Sequence, residues 1–455
     1  MRHHMVRFIR RNIVPLLVMG CVLGLVIYGA ATAQFDVLFA PAAAPVFAGH
    51  PAMPLPAPPP VPPYSSPLPT PMPTVPVPTP TSAPAPTPEP DFSTPEIKIQ
   101  MTGDVLLHKG PVHSAKTSKG YDFSPCFNLI SPCLDGDLSI CNMEGPVDVY
   151  GGNRKLSSYP QFNAPFEILP ALREAGLNLL LTANNHAFDM GWKGLAATRN
   201  NIEKADLDFT GIYETQQQYE APKMLDVQGL KVGILNYTDA VNGLESLIPD
   251  EKRVFALRRF SSYSLQDVPA MTAEIESLRE AGADFVIVAL HWGAEYRDNP
   301  TATQRDIAQA LCDGGADVIM GGHSHCVQPV EWHMSPEGRT SLIIYSLGNF
   351  FADQSSINIP KTQYGMIVSV RVRLDKAGAL VWDGADILPT MTYRYRDGNS
   401  SNGISYRLLP LDICAEEDTR LDILVNDSEW DKARRALAHV ADIAGSGVAI
   451  IGRAE

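Results

Sequence analysis

A proline-rich stretch, which cannot build a hydrophobic core itself, separates the N-terminal residues from the rest of the chain. From Pro51 to Pro90 nearly every second or third residue is proline, with Ala, Thr and Ser between. Proline fixes one backbone angle and donates no backbone hydrogen bond, so this composition predicts an extended, semi-rigid spacer. We therefore predict a disordered linker over residues 34–94 and a folded body from residue 95. A proline-motif ligand for another protein is the alternative for this stretch.

An apolar run before the linker predicts a membrane anchor. The run covers residues 13–33, and roughly 20 apolar residues span a bilayer. Residues 1–12 form a basic N-terminus with four arginines, which predicts that this end stays in the cytoplasm. We expect a single-pass protein of the cell membrane with an extracytoplasmic body. Ala31-Thr32-Ala33 resembles a cleavage site, so a cleaved signal peptide competes with the anchor; the length of the run favours the anchor.

The body has the pattern of an α/β protein, because apolar runs that suit strands alternate with helical patterns. We divide it into a main domain, residues 95–390, and a C-terminal extension, residues 391–455. Two strands, 364–374 and 379–388, are expected to form a closing antiparallel pair. Helices are expected at 166–175, 191–205, 269–281 and 301–313.

The net charge limits the classes of partner, and the cysteines bear on disulfide formation in an oxidising compartment. The formal net charge of −14 argues against nucleic acid as a partner. Six cysteines lie beyond the apolar run, and an oxidising exterior permits disulfides between them. Cys126 and Cys133 are spaced to close a small loop, but the sequence leaves the connectivity open.

Polar residues come directly after apolar runs at five places, which predicts a site at the carboxyl ends of strands. In Gly321–His325 two histidines are two residues apart, so in an extended chain both imidazoles face one point. Carboxylate, amide and imidazole ligands suit Mn, Zn or Fe ions, and we expect one or two divalent ions. Taken alone, each of the residues named next could instead belong to a turn or a helix cap, or be a surface carboxylate or a core histidine. The predicted metal ligands are Asp104, Glu144, Asn185, His291, His323 and His325.

The residues beside these ligands suggest hydrolytic chemistry. Two-metal sites bind an anionic oxygen substrate and activate water to attack it. His186 could supply a proton to the leaving group, and Asp189 could orient that imidazole. Glu295 and Asn349 are predicted substrate contacts, although the stretch around Asn349 also suits a tight structural turn.

Six short motifs follow in order between Ile97 and Leu388. The motifs are Gly103-Asp104, Asn142-Met143-Glu144, Asn184-Asn185-His186-x-x-Asp189-x-Gly191, His291-Trp292-Gly293-x-Glu295-Tyr296, Gly322-His323-x-His325 and Tyr345-Ser346-Leu347-Gly348-Asn349-Phe350. Their order and spacing resemble the CapA family of bacterial capsule, or poly-γ-glutamate, synthesis proteins, which is similar to calcineurin-like metallophosphoesterases. The resemblance implies a four-layer α/β/β/α metallophosphatase-like sandwich with a dinuclear metal site. It also implies membrane anchoring and work beside a polyglutamate synthase and an exporter.

The chain departs from the metallophosphoesterase pattern at two points. That pattern usually has Asp-x-His at the first strand, but Leu106 stands at the histidine position and His108 lies two residues further on. Glu144 replaces the usual aspartate of the second motif. These departures imply a site that holds one metal firmly and a second weakly, or that lacks phosphoesterase activity.

Three functions are consistent with this pattern. The first is a metal-dependent hydrolase of phosphoesterase type that acts in capsule or poly-γ-glutamate biosynthesis or export. The second is a non-catalytic scaffold or polymer-binding subunit of the same machinery. The third is a general envelope metallophosphoesterase. The expected partners are the cell membrane, an anionic envelope polymer or a phosphoester substrate, and capsule synthase or export subunits.

Overall fold

The computed structural model describes residues 92–149, 155–354, 359–397, 403–414 and 427–451. The predicted basic N-terminus and anchor lie outside these residues, as does nearly all of the predicted linker. Within the described ranges, no helix is both long and apolar enough to cross a membrane. Phe92 forms a β-bridge with Asp375, and the backbone N–H of Ser93 donates to Leu374. Phe92 and Ser93, the first two described residues, therefore already pair with the body.

The strands of the described residues are mostly short, apart from three long strands that lie side by side. In chain order they are β1 (Ile97–Leu106), β2 (Lys116–Thr117), β3 (Gly120–Tyr121), β4 (Leu138–Met143), β5 (Leu179–Leu181), β6 (Asp208–Thr210), β7 (Lys223–Val227), β8 (Leu230–Thr238), β9 (Arg258–Arg259), β10 (Phe285–His291), β11 (Val318–Gly322), β12 (Val330–Met334), β13 (Thr340–Ile344), β14 (Asn349–Ala352), β15 (Tyr364–Leu374), β16 (Leu380–Arg396), β17 (Ile404–Pro410) and β18 (Ala449–Ile450).

The α-helices of the same ranges lie mainly between strands. They are α1 (Lys109–Ser114), α2 (Ser124–Phe127), α3 (Ile168–Ala175), α4 (Gly191–Lys204), α5 (Gln216–Glu220), α6 (Asp250–Arg253), α7 (Val268–Glu280), α8 (Ala302–Asp313) and α9 (Asp427–Ala444). Local sequence explains two of the boundaries. Gly176 ends α3 in the left-handed conformation that glycine adopts readily, and Thr301 with Gln304 forms a capping box that begins α8.

Two large sheets organise these strands. The first has the order β17-β16-β15-β1-β4-β5-β6, with β14 also paired to β1 and β18 to β16. Its β1, β4, β5 and β6 are parallel, whereas β15 and β16 form the antiparallel pair that the sequence predicts. The second sheet has the order β12-β13-β11-β10-β8-β7, and its central strands β13, β11, β10 and β8 are parallel.

Three apolar cores set the order of the layers. The two sheets share one core, in which Ile99 of β1 and Ile287 of β10 are both fully buried. Helix α3 packs on the outer face of the first sheet, and α7 and α8 pack on the outer face of the second. Burial of one face of each helix and both faces of each sheet favours this helix–sheet–sheet–helix arrangement. The predicted α/β class is confirmed.

The described residues after 390 are part of the same body rather than a separate unit. Strand β17 extends the first sheet by pairing with β16. Helix α9 buries Trp430, Ala433 and Ala436 in a small core against Met391 and Leu409. The described part of the predicted C-terminal extension is therefore anchored by apolar packing. All six cysteines beyond residue 92 are free thiols in the structure, and none forms the disulfide that the sequence permits.

Candidate metal centre

The ends of parallel strands from both sheets bring the predicted ligands together. Asp104 of β1 pairs in register with Asn142 of β4, and His291 at the end of β10 pairs with Gly322 at the end of β11. A Cβ atom at Gly322 would lie 2.9 Å from Asp104 Oδ1, so glycine lets the second sheet approach this carboxylate closely. The site therefore lies at the carboxyl ends of the strands, as predicted for this class of fold.

Three donors lie on one side of Glu144, namely Asn185, His291 and His323. We call these three and Glu144 the four-donor group. The ligand atoms of Glu144, His291 and His323 all lie within 4.8 Å of one another. His291 Nε2 lies 3.0 Å from His323 Nδ1 and 3.6 Å from Glu144 Oε1. Asn185 Oδ1 lies 3.0 Å from the same Nε2 atom, which adds an amide oxygen. This mixture of imidazole, amide and carboxylate suits a divalent transition metal.

A second set of donors lies on the other side of Glu144, and we call Asp104, Glu144 and His325 the three-donor group. His325 Nδ1 lies 3.8 Å from Asp104 Oδ2 and 3.9 Å from Glu144 Oε2. The backbone N–H of His323 donates to the same Oδ2 of Asp104 at 3.1 Å, which fixes that carboxylate. Glu144 thus belongs to both groups and turns a different oxygen towards each.

The state of Glu144 shows that these residues fit metal ions. Both of its carboxylate oxygens are buried, and neither accepts a hydrogen bond from a described residue. A buried carboxylate without partners is costly, whereas cations in the two groups would satisfy both oxygens. The described ligands would supply imidazoles, an amide and two carboxylates, which are the ligand types that suit Mn, Zn and Fe ions.

Burial and neighbouring charges shift the pKa values of three of these ligands. Burial would raise the pKa of Glu144, but His325 and His291 outweigh it and lower that pKa below its ordinary value. Burial and the neighbouring Glu144 raise the pKa of Asp104. Burial, with His291 and His325 nearby, lowers the pKa of His323 well below its usual value, so its imidazole is neutral. A neutral imidazole keeps the lone pair that binds a metal.

His186 and Asp189, the predicted catalytic pair, are in contact. His186 Nδ1 lies 2.8 Å from Asp189 Oδ2, and the backbone N–H of Phe162 donates to that oxygen at 2.6 Å. The ring of His186 packs edge-on against Phe162. Burial would lower the pKa of His186, but Asp189 and Glu144 outweigh it and raise that pKa. This contact holds Nδ1 and leaves Nε2 as the atom that can exchange a proton with a substrate.

A cleft of about 540 Å³ opens beside His186. Glu295, a predicted substrate contact, is partly exposed there, and its Oε1 lies 4.0 Å from His325 Nε2. The cleft is large enough for a substrate to reach Asn185 of the four-donor group. Its lining residues are His108, Tyr159, Pro160, Gln161, Asn185, His186, Asn242, Leu244, Glu295, Tyr296 and Gln354.

Asn349 lies deeper than a substrate contact would. Its side chain is fully buried, and its Oδ1 lies 3.0 Å from His325 Nδ1. Its amide nitrogen donates to the backbone carbonyl of Thr362 at 2.7 Å and to Gln354 Oε1 at 3.1 Å. These contacts favour a role in positioning His325 rather than the substrate contact that the sequence predicted.

The first-strand position behaves as the sequence departure implied. Leu106 is buried and packs with Phe162 and Ala352, so it offers no ligand at the end of β1. His108 lines the cleft but belongs to neither donor group of the described residues. Burial lowers the pKa of His108 to about 4, and its Nδ1 lies 3.3 Å from the carbonyl oxygen of Leu106. The three-donor group therefore lacks the histidine that would make it equal to the other group.

The two histidines of the Gly-Gly-His-x-His motif do not face one point, and that expectation from an extended chain was wrong. His323 and His325 have φ angles of 83° and 55°, so the chain turns through the left-handed region at both. This uncommon conformation in non-glycine residues is typical of functional sites. It assigns His323 to the four-donor group and His325 to the three-donor group.

Several residues of the site were not predicted. Asn142 donates from Nδ2 to Asp104 Oδ1 at 2.8 Å, and Asn184 donates to Asn142 Oδ1 at 3.2 Å. Both lie in the quoted motifs, so their place at strand ends was the available signal. Tyr159, Gln161 and Asn242 lie on loops of the cleft, and none of them comes directly after an apolar run. The sequence pattern therefore held no signal for these three.

The fold and the site define a class: an α/β protein with two sheets and a candidate centre for two divalent metal ions at its strand ends. Within this class the chain belongs to the bacterial capsule synthesis protein family PGA_cap, whose model matches residues 98–354. Every residue of the two donor groups and the His186–Asp189 pair lies inside the match. Residues 359–451 of the described body lie outside it.

The chain is similar to two curated CapA proteins. It is 30% identical over 262 residues to the capsule biosynthesis protein CapA of Bacillus anthracis, covering 57% of this chain and 60% of that protein. It is 29% identical over 265 residues to the PGA biosynthesis protein CapA of Bacillus subtilis strain 168, covering 58% and 65%. The chain thus spans less than two thirds of the length of these relatives. The solved NAD nucleotidase of Haemophilus influenzae aligns with 78% of this chain and 57% of its own, at 12% identity and a TM-score of 0.37.

Proposed function

We propose that this chain acts in making, exporting or attaching an anionic envelope polymer such as poly-γ-glutamate, through a hydrolase-like centre for divalent metal ions. The observation that carries the proposal is Glu144, which presents one unpartnered buried oxygen to each of two donor groups. The polymer class comes from the CapA relatives, whose names refer to capsule and PGA biosynthesis.

Each part of the site has a chemical role in this proposal. Mn, Zn or Fe ions, when bound, would neutralise an anionic substrate oxygen and lower the pKa of a water molecule. Asp189 holds Nδ1 of His186, so that Nε2 donates the proton to the leaving group of a phosphoester or related bond. Glu295 lies at the mouth of the cleft, where it would contact the substrate. Asn349 and Asn142 keep His325 and Asp104 in place.

The two donor groups are unequal, so the proposed ions differ in affinity. The four-donor group has two imidazoles, an amide and a carboxylate, whereas the three-donor group has one imidazole and two carboxylates, with the amide oxygen of Asn349 3.0 Å from that imidazole. The groups therefore differ in the second imidazole, which only the four-donor group has. Leu106 stands where a further histidine would complete the smaller group. We propose that the four-donor group fills first and that the second ion binds more weakly.

The location of this chemistry is also part of the proposal. Residues 13–33 would anchor the chain in the cell membrane, and the proline-rich linker would hold the body outside the cytoplasm. Synthase and export subunits of the polymer machinery would be its partners there. A fusion of a periplasmic or surface reporter to the C-terminus tests this topology, and activity of a cytoplasmic reporter alone would refute it.

Polymer production tests the function directly. The full chain would be expressed in a poly-γ-glutamate producer that lacks its own CapA relative, and polymer yield would be measured. We expect His291→Ala to abolish most of the polymer yield at normal protein levels. It removes the imidazole whose Nε2 lies 3.0 Å from both Asn185 Oδ1 and His323 Nδ1, and so takes a ligand from the four-donor group. The matched control is His333→Ala, because His333 lies on β12 and contacts Asp313 instead. Equal yields from both variants would refute the proposal.

A scaffold without catalysis is the second candidate, and the missing ligand at Leu106 favours it. In that case the metal centre is structural and His186 has no chemical task. The His186→Ala variant separates the two, because its imidazole is in neither donor group. Unchanged polymer yield in His186→Ala would support the scaffold, and a clear loss at normal protein levels would support catalysis.

A further inference from the structure

A cleft of about 420 Å³ lies beneath the C-terminal helix, on residues beyond the family match. The helix α9 is held firmly, because Trp430, Ala433 and Ala436 are buried against the first sheet. Its Lys432 and Arg435 are three residues apart and so lie on one side of the helix, where both line the cleft. The positions of these two cations are therefore set by the packing of the helix.

The cleft is basic, and we call Arg394, Lys432 and Arg435 its basic triad. Arg394 comes from β16, on the sheet side. No carboxylate is among the described lining residues, and none of the three cations forms an ion pair with a described residue. The remaining lining residues are Ile359, Pro360, Gln363, Tyr364, Met391 and Tyr393.

Cations elsewhere on α9 and on the first sheet behave differently from the basic triad. Arg434 pairs with Asp431 on the same helix, Arg373 of β15 pairs with Asp383, and Arg371 pairs with Asp386. The chain as a whole carries a net charge of −14. Three cations that line one concavity, and that have no ion-pair partner among the described residues, form a local exception in an acidic protein. Such a place attracts a polyanion more strongly than an acidic surface does.

We infer that this basic cleft binds a segment of a polycarboxylate chain, with successive carboxylates paired to Arg394, Lys432 and Arg435. Arginine forks and a lysine ammonium match carboxylates well, and the tyrosines supply a rigid wall. The identity of the polymer as poly-γ-glutamate rests on the proposed function above. The binding site itself rests only on the cleft. It gives the residues after 390 a task, which is to hold the polymer near the body.

The composition of the cleft favours a polymer over a membrane surface. Proteins that bind a membrane surface insert apolar side chains between lipids. The large hydrophobic side chains that are exposed in the described residues lie elsewhere, at Tyr159, Leu247, Val254, Tyr263, Leu265, Trp332, Met334 and Ile451. The basic triad also lines a concavity, which a chain can enter and a flat bilayer cannot.

The test measures binding of fluorescently labelled poly-γ-glutamate to the purified full chain by anisotropy, at several salt concentrations. An exposed ion pair contributes about two- to threefold in affinity, so we expect R394Q/K432Q/R435Q to bind about tenfold more weakly. The matched control K116Q/K119Q/K193Q makes the same change in net charge on exposed lysines outside the cleft and should bind as the wild type does. The charge-conserving R394K/R435K should keep most of the affinity. Thermal unfolding checks that each variant is folded.

Three results would overturn the inference. The first is equal polymer binding by the triad variant and the wild type. The second is equal loss in the triad variant and its control, because that would be a general charge effect. The third is loss of binding to vesicles of phosphatidylglycerol and phosphatidylcholine, but not to polymer, in the triad variant.

The metal-centre variant His323→Ala keeps this test separate from the proposed function. We expect it to lose metal and to bind polymer like the wild type. Polymer binding that depends on His323 but not on the triad would overturn the inference and leave the proposed function standing. A chain that binds polymer through the triad but binds no metal would contradict the proposed function and leave the inference standing.

Discussion

Glu144→Gln removes one charge and one metal ligand from both donor groups at once, while keeping the shape of the side chain. Loss of a residue that only supports a ligand typically weakens metal binding about 10- to 100-fold. Glu144 is itself a ligand shared by both groups, so we expect at least about a 100-fold loss at each. An uncharged amide oxygen cannot replace a carboxylate that faces two cations.

The loss can be measured as stability. At a metal concentration 100 times the wild-type Kd, bound metal raises the free energy of unfolding of the wild type by about 2.7 kcal/mol. At the same concentration a variant with a 100-fold higher Kd gains only about 0.4 kcal/mol. Denaturant unfolding with and without metal gives both gains, and calorimetric titration gives the affinities.

The control for this experiment is Glu295→Gln. Glu295 lies 4.0 Å from His325 Nε2 at the mouth of the cleft but belongs to neither donor group, so its loss should leave the stabilisation by metal unchanged. The reasoning would be refuted if metal stabilised Glu144→Gln as strongly as the wild type. It would also be refuted if Glu295→Gln lost the stabilisation and Glu144→Gln kept it.

Three further substitutions test separate parts of the structure. Leu106→His places an imidazole two residues beyond Asp104 on β1 and should tighten the weaker metal about tenfold or more, as a metal titration would detect; unchanged affinity would contradict the account of the three-donor group. Asp189→Asn removes the carboxylate that raises the pKa of His186, so NMR titration of the metal-free protein should find that pKa lowered, and the alkaline limb of any pH–rate profile should move to lower pH. An unmoved pKa would show that the pair does not interact in solution. Trp430→Ala leaves a cavity under α9 and should cost about 3–5 kcal/mol of stability in denaturant unfolding; a cost below about 1 kcal/mol would show that the helix is not docked.

The regular elements of the fold could be predicted because their signals are local. The helix expected at 191–205 is Gly191–Lys204, and the one expected at 269–281 is Val268–Glu280. Apolar period and flanking glycines carry this information within one segment of sequence. The position of the site at strand ends followed from the same pattern, because polar residues end the apolar runs.

The parts that could not be predicted depend on contacts between distant segments. The division of His323 and His325 between two donor groups follows from left-handed backbone at both residues, which the spacing does not reveal. Asn349 is buried against His325 because β14 pairs with β1 next to Asp104. The basic cleft forms only when α9 docks beside β16, and no sequence motif indicates it.

Metal stoichiometry of the purified full chain tests the central claim most directly. The wild type, His323→Ala and His325→Ala would be loaded with Mn or Zn, dialysed and analysed by mass spectrometry, with circular dichroism to confirm folding. We predict two ions of unequal affinity in the wild type. His325→Ala should keep the tighter ion, and His323→Ala should lose it. A folded wild-type chain that binds no divalent metal, or variants that bind as much as the wild type, would contradict the account.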